Sequence, residues 1–123
     1  MIHRLMIGAA LMVAASGALA AGPAEVGYPE NSLGFAALMR SDTATAERQI
    51  RENKEVAAND PARLVQLGVL LLRTGRQAEG AALLEKALVA EDVELVLGDG
   101  RTMWSRDLAR RSLGRVQTSY AGR

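Results

Sequence analysis

The side chains that carry most enzyme chemistry are scarce in this chain. It has one histidine, His3, and no cysteine. His3 lies in a segment that reads as a cleaved leader, so the mature chain keeps neither an imidazole nor a thiol, the usual ligands for zinc, copper or haem. A carboxylate pair or a Ser/Lys arrangement would have to do any catalysis, yet Lys54, Lys86 and the acids fall on helix-surface positions. No motif sets a nucleophile beside a base. The expectation is a protein that is not an enzyme, with no catalytic residue, no metal and no cofactor. Gly98-Asp99-Gly100 lacks both the GxxxxGK pattern and the spaced acids of a calcium loop, and reads as a turn. What remains is suited to contact. Arg106 and Arg110 on one flank, and Arg111 and Arg115 on the other, border the apolar stripe of a C-terminal helix. They read first as a solvated surface and second as a contact for anionic headgroups or an acidic partner. Trp104, the single tryptophan, reads as packing in a hairpin core ahead of an interface anchor.

The elements that must position these residues begin after a leader. Arg4 with His3 is a small basic start, Leu5 to Leu19 is almost wholly apolar, and Ala18-Leu19-Ala20 gives a small-x-small cleavage pattern. Residues 1–20 therefore read as a signal peptide, and export points to the periplasm of a Gram-negative bacterium. An uncleaved anchor is the alternative, although Gly8, Gly17 and Gly22-Pro23 interrupt the apolar run. Loss of Arg4 leaves 14 basic against 14 acidic residues, no electrostatic footprint for nucleic acid. Residues 21–27 read as a disordered Ala/Gly/Pro leader, and residues 28–118 as one domain.

Four helices are expected from caps and periodicity. The first, about Glu30 to Arg40, carries Leu33, Ala37 and Leu38 on one face; the second, about Ala44 to Ala58, turns Ala46, Ile50 and Ala57 inward. Asp60-Pro61 is a cap and first-turn pair, after which Leu64, Leu67, Gly68, Leu71 and Leu72 form an amphipathic stripe ending at Thr74-Gly75. The fourth helix, about Gln77 to Ala90, presents Gly80, Leu84, Ala87 and Leu88.

Leu33-Gly34 recurs as Leu67-Gly68, 34 residues on. With Leu64, Leu71, Gly80, Leu84 and Ala87 at matching positions, the chain resembles the tetratricopeptide repeat (TPR) family over residues 27–94. The units would be 27–60 and 61–94. The first departs from the pattern at Glu30 and Asn53, and Asp92 stands where the family usually has proline. The small residues Gly34, Ala46, Gly68 and Gly80 suit close helix approach, with Leu71 and Leu84 between.

The period fails after Asp92. Val93 to Leu97, an Asp-Gly turn and Thr102-Met103-Trp104 predict a β-hairpin over 93–104 with a two-residue turn and Leu95 opposite Trp104. Ser105 then caps a terminal helix to about residue 118, with Leu108, Ala109, Ser112, Leu113 and Val116 inward. The expected fold is mainly α, two TPR-like helical hairpins followed by a short β-hairpin and a capping helix.

The resemblance implies a function in protein–protein contact. In relatives the first helix of each hairpin lines a concave groove, which places Phe35, Leu38, Met39, Val65, Val69, Leu72 and Arg73 among the partner-binding positions. The Lys and Asn set that grips a peptide carboxylate in some relatives is missing. The expectation is an exported adaptor, accessory factor or scaffold that binds another protein or peptide, with self-association into a homo-oligomer as another way to close the groove. The alternative is a peripheral inner-membrane component held by the basic terminal helix or by an uncleaved signal.

Overall fold

Asp60 and Pro61 start the element around which the others pack. In the computed structural model, which describes residues 22–121, Asp60 Oδ1 accepts the N–H groups of Ala62 at 2.9 Å and Arg63 at 3.2 Å. Pro61 sits in the first turn, where its missing N–H costs nothing. The order is α1 (Phe35–Met39), α2 (Thr43–Glu52), α3 (Pro61–Arg73), α4 (Gln77–Val89), β1 (Glu94–Val96), β2 (Thr102–Trp104) and α5 (Ser105–Ala121). The chain is mainly helical with a small two-stranded antiparallel sheet. The leader assigned to residues 1–20 lies outside the described residues. Among the described residues no helix is long and apolar enough to cross a membrane.

Helix α3 contributes to three apolar clusters. Leu67, Leu70 and Leu71 meet Ala37 and Leu38 of α1 and Ala46 and Ile50 of α2. Leu64 and Val65 meet Leu84 and Ala87 of α4 and Ala109 of α5. Ala62 meets Leu33 and Leu95. A helix covered on this many sides draws its stability from tertiary burial far more than from propensity.

The two helical hairpins turn the same corner. Asp42 N–H bonds Ala37 C=O at 2.8 Å and Ser41 N–H bonds Leu38 C=O at 2.9 Å; 34 residues later Arg76 bonds Leu71 at 2.9 Å and Gly75 bonds Leu72 at 3.3 Å. This is the Schellman C-cap, which needs a left-handed residue, met by Ser41 at φ 60° and Gly75 at φ 87°. Close helix approach recurs at the same shift. A Cβ on Gly34 would fall 2.9 Å from Ala46 Cα, and one on Gly80 would fall 2.8 Å from Gly68 O.

Ions tie the hairpins together. Arg51 reaches Glu47 at 2.8 Å and Glu79 of α4 at 2.7 Å, while the Arg76 guanidinium also pairs with Glu47. The Arg76 hydrogen bonds, with help from Arg51, pull the Glu47 carboxyl down to about 2 against the opposing effect of burial.

Several expectations need correction. The first helix begins at Phe35, not near Glu30, because Asn31 at φ 66° and Gly34 at φ 64° leave the right-handed path. The N–H groups of this stretch find other partners: the Glu25 carboxylate accepts from Asn31 at 3.0 Å, Leu33 at 2.8 Å and Phe35 at 3.3 Å, and Gly34 N–H donates to Asn31 C=O at 3.3 Å. The second helix stops at Glu52, since Asn53 turns extended and its side chain accepts from Glu55 N–H at 3.0 Å and Val56 N–H at 2.9 Å. Ala57 is consequently exposed.

Residues 22–27 are not a disordered leader. Ala24 N–H bonds Val96 C=O at 2.8 Å, Gly98 N–H bonds Gly22 C=O at 2.9 Å, and Pro23 bridges Leu97, so this segment flanks the β-hairpin. Gln66, buried in α3, donates its amide to Pro23 C=O and Leu33 C=O, both at 3.1 Å. One side chain thus fixes two stretches of irregular backbone.

The hairpin exists, but its register differs by one. Leu95 pairs with Met103 and Glu94 with Trp104. The turn holds three residues, Gly98 to Gly100: Leu97 N–H bonds Arg101 C=O at 2.7 Å, and Gly100 takes φ 88°. A one-residue slip exchanges the faces of a strand. Leu95 and Leu97 are therefore buried while Trp104 is 48% exposed, not packed in the hairpin core. Ser105 does not cap α5 from outside but is its first residue. Its hydroxyl accepts Val93 N–H at 3.0 Å, and Asp92 Oδ1 receives Arg106 N–H at 3.0 Å in the capping role.

Candidate interaction groove

The expected binding face divides along α3. Val65 is fully buried, in one cluster with Ala109 of α5, and Leu38 of α1 is buried against α3. Neither side chain presents surface to a partner, which corrects their assignment as binding residues. Phe35 is half-buried and Met39 is 54% exposed, and neither lines the groove described next. Val69, Leu72 and Arg73, one to two turns further along α3, do come together.

There α3 and α5 leave a gap. Val69, Leu72 and Arg73 face Gln77 of α4 and Ser112, Arg115 and Val116 of α5 around a cavity of about 170 Å³. A second cavity of about 130 Å³ adjoins it, sharing Val69, Ser112 and Arg115, and is bounded further by Leu97, Arg101, Met103, Leu108 and Arg111. Together they form one groove with an aliphatic floor. The β-hairpin closes one end, because its inward register puts Leu97, Arg101 and Met103 on the face toward α5.

The rim is cationic. Among the described residues Arg73, Arg101, Arg111 and Arg115 line the two cavities, and no carboxylate does. Arg101 is held by Asp99 at 2.8 Å, and the Arg101 N–H and guanidinium keep the Asp99 carboxyl below its ordinary range. Among the described residues Arg73, Arg111 and Arg115 enter no ion pair. Ser112, 5% exposed, satisfies its hydroxyl on Leu108 C=O at 2.9 Å.

The two arginine flanks of α5 have different fates. Arg106 closes the end of α4 by donating to Ala90 C=O at 3.0 and 2.8 Å, and Arg110 pairs with Asp107. Arg111 and Arg115 stand on the groove. The spacing i, i+4 in the sequence marks both flanks equally; only the position of Ala90 and Asp107 separates them. Gln77, Leu97 and Met103 were not foreseen at a binding surface, since they join it from α4 and the hairpin.

What this arrangement offers is binding: apolar contact below and charge-assisted hydrogen bonds above. Among the described residues no group of three or more His, Cys, Asp or Glu is placed to hold a metal ion. The fold defines a mainly helical class with a small β-hairpin between α4 and α5. No protein-family model, no curated protein and no solved structure matches the chain.

Proposed function

We propose that this chain is an exported, non-enzymatic protein–protein interaction module of TPR-like design, acting as an adaptor or accessory factor in the bacterial envelope. The observation that carries the reading is the open end of α3. Val69 and Leu72, which pack at the edge of the core and are only partly buried there, line a concave groove toward α5 with their remaining apolar surface. The TPR-like part of the reading is supported by the recurrence of the Schellman corner and of the glycine approach at a shift of 34 residues. The exported part is supported by the leader pattern in residues 1–20.

Site-specific photocrosslinking in envelope preparations tests the reading. A crosslinker at Leu72 should give one discrete heterologous adduct, and the same group at Val89, which is 84% exposed and outside the groove, should not. Identical patterns from both positions, or adducts of the chain with itself alone, would defeat the proposal.

A further inference from the structure

Resting on the reading of the groove as a partner site, we propose that its partner is an acidic polypeptide segment carrying an aliphatic anchor. Three observations define that chemistry. The floor is apolar and divided into two adjoining cavities of about 170 and 130 Å³, each smaller than the usual small-molecule pocket of about 300–1,000 Å³ and suited to a side chain. Among the described residues the rim supplies Arg73, Arg111 and Arg115 without internal ion pairs, and no carboxylate of those residues lines the groove to compete for them. Gln77 adds a polar side chain to the lining of the first cavity.

Guanidinium groups favour carboxylates because two parallel N–H donors match two oxygens. Three of them around an apolar floor therefore complement a chain that presents acids on both sides of a leucine-like residue, and repel a basic one. A lipid surface fits less well. An interfacial helix gives its apolar face to the acyl boundary, whereas Leu108, Ala109 and Leu113 of α5 are packed into the core and its arginines border a concavity that a side chain can enter. The same α5 shows the contrast: Arg106 and Arg110 have internal partners, while Arg111 and Arg115 have none among the described residues.

The test uses the whole purified protein and short end-blocked peptides with a central pair of leucines. One version has glutamates on both sides, a second has lysines, and a third keeps the glutamates but replaces the leucines by serine. By fluorescence anisotropy the glutamate–leucine peptide should bind at least about tenfold more tightly than either control, with affinity falling as salt rises. Arg111→Glu with Arg115→Glu should weaken it by about tenfold or more, while Arg110→Glu, outside both cavities, should leave it within about twofold. Residues 110, 111 and 115 are all exposed, so thermal unfolding should be preserved in these variants. Equal binding of the lysine or serine peptide, or indifference to the double charge reversal, would overturn the proposal. So would arginine-dependent binding to phosphatidylglycerol vesicles with no peptide binding. A Leu72 crosslink to a partner together with equal peptide affinities would leave the interaction module standing and remove only its acidic preference.

Discussion

The first and second helical hairpins share a corner and diverge in the helix that leads into it. In the second, α3 has 13 residues, a cap at Asp60 and a left-handed glycine at its end. In the first, α1 has five residues, enters from a left-handed Gly34 with no side-chain cap, and leaves through a left-handed serine. Local signals build α3. The approach to α1 is instead fixed from a distance, by the Glu25 carboxylate and the Gln66 amide. The same 34-residue register can therefore hold the turn geometry constant while the flanking helix is free to shrink where its N–H groups are satisfied elsewhere. The shortened α1 also limits where a groove can form. Of its three candidates Leu38 is used in the core and Phe35 and Met39 do not line the groove, which opens along the second half of α3.

Glycine substitutions should separate the hairpins most sharply. Gly34→Ala places a Cβ 2.9 Å from Ala46 backbone at a residue with φ 64°, so crowding of about 1–3 kcal/mol adds to about 1 kcal/mol of left-handed strain. Gly80→Ala meets Gly68 O at 2.8 Å but gains about 1 kcal/mol of helix propensity, leaving a smaller loss. Gly114→Ala, with nothing within 4 Å, should stabilise by about 0.5–1 kcal/mol. Urea unfolding orders the three; equal losses at 34 and 80 would remove the distinction between the hairpins.

Next in size is Gln66→Ala. It strands the carbonyls of Pro23 and Leu33 and should cost about 2–3 kcal/mol. Hydrogen exchange at Ala24 should quicken more than at Leu70, because the segment before α1 loses its tie while α3 keeps its ladder. Uniform acceleration would mean that Gln66 supports the whole fold equally.

A smaller effect follows from the ion pairs that join α2 to α4. Glu47 is depressed from an ordinary 4.5 to about 2, so its contribution is full above about pH 4.5 and disappears as pH falls toward 2. Because its arginine partners are substantially exposed, the contribution should stay below about 1 kcal/mol. Glu47→Gln should flatten the acid limb of a melting-temperature profile and leave the alkaline limb unchanged. The smallest change expected is from Ser41→Gly, which should raise stability by about 0.5 kcal/mol by giving the first corner the residue the second already has.

Much of the second hairpin was legible because its signals are local. Asp60-Pro61 and Thr74-Gly75 name their own ends, and the Leu64 to Leu72 stripe identifies a buried helix. The first hairpin was less legible for a reason visible in Glu25. A carboxylate six to ten residues upstream can replace the first turn of a helix, and no periodicity records that substitution. The candidate site followed the same division. Val69, Leu72 and Arg73 were reached from the register of α3, whereas Gln77, Leu97 and Met103 enter from other elements. Trp104 was misplaced because Gly98-Asp99-Gly100 accommodates a two- or a three-residue turn, and each choice sends the ring to a different face.

By itself the sequence determined the helical class, the caps of α3, the Leu-Gly spacing and the two arginine flanks of α5. Apart from the 34-residue spacing, which is read directly along the chain, all are properties of residues within a few turns of one another. Only the tertiary structure decided that residues 22–24 would flank the hairpin, that Gln66 would hold them, and that Arg106 would be tied to Ala90 while Arg111 and Arg115 remained at a groove. Those outcomes depend on which unsatisfied backbone groups and charges meet across distant segments. Such meetings are settled by packing around α3.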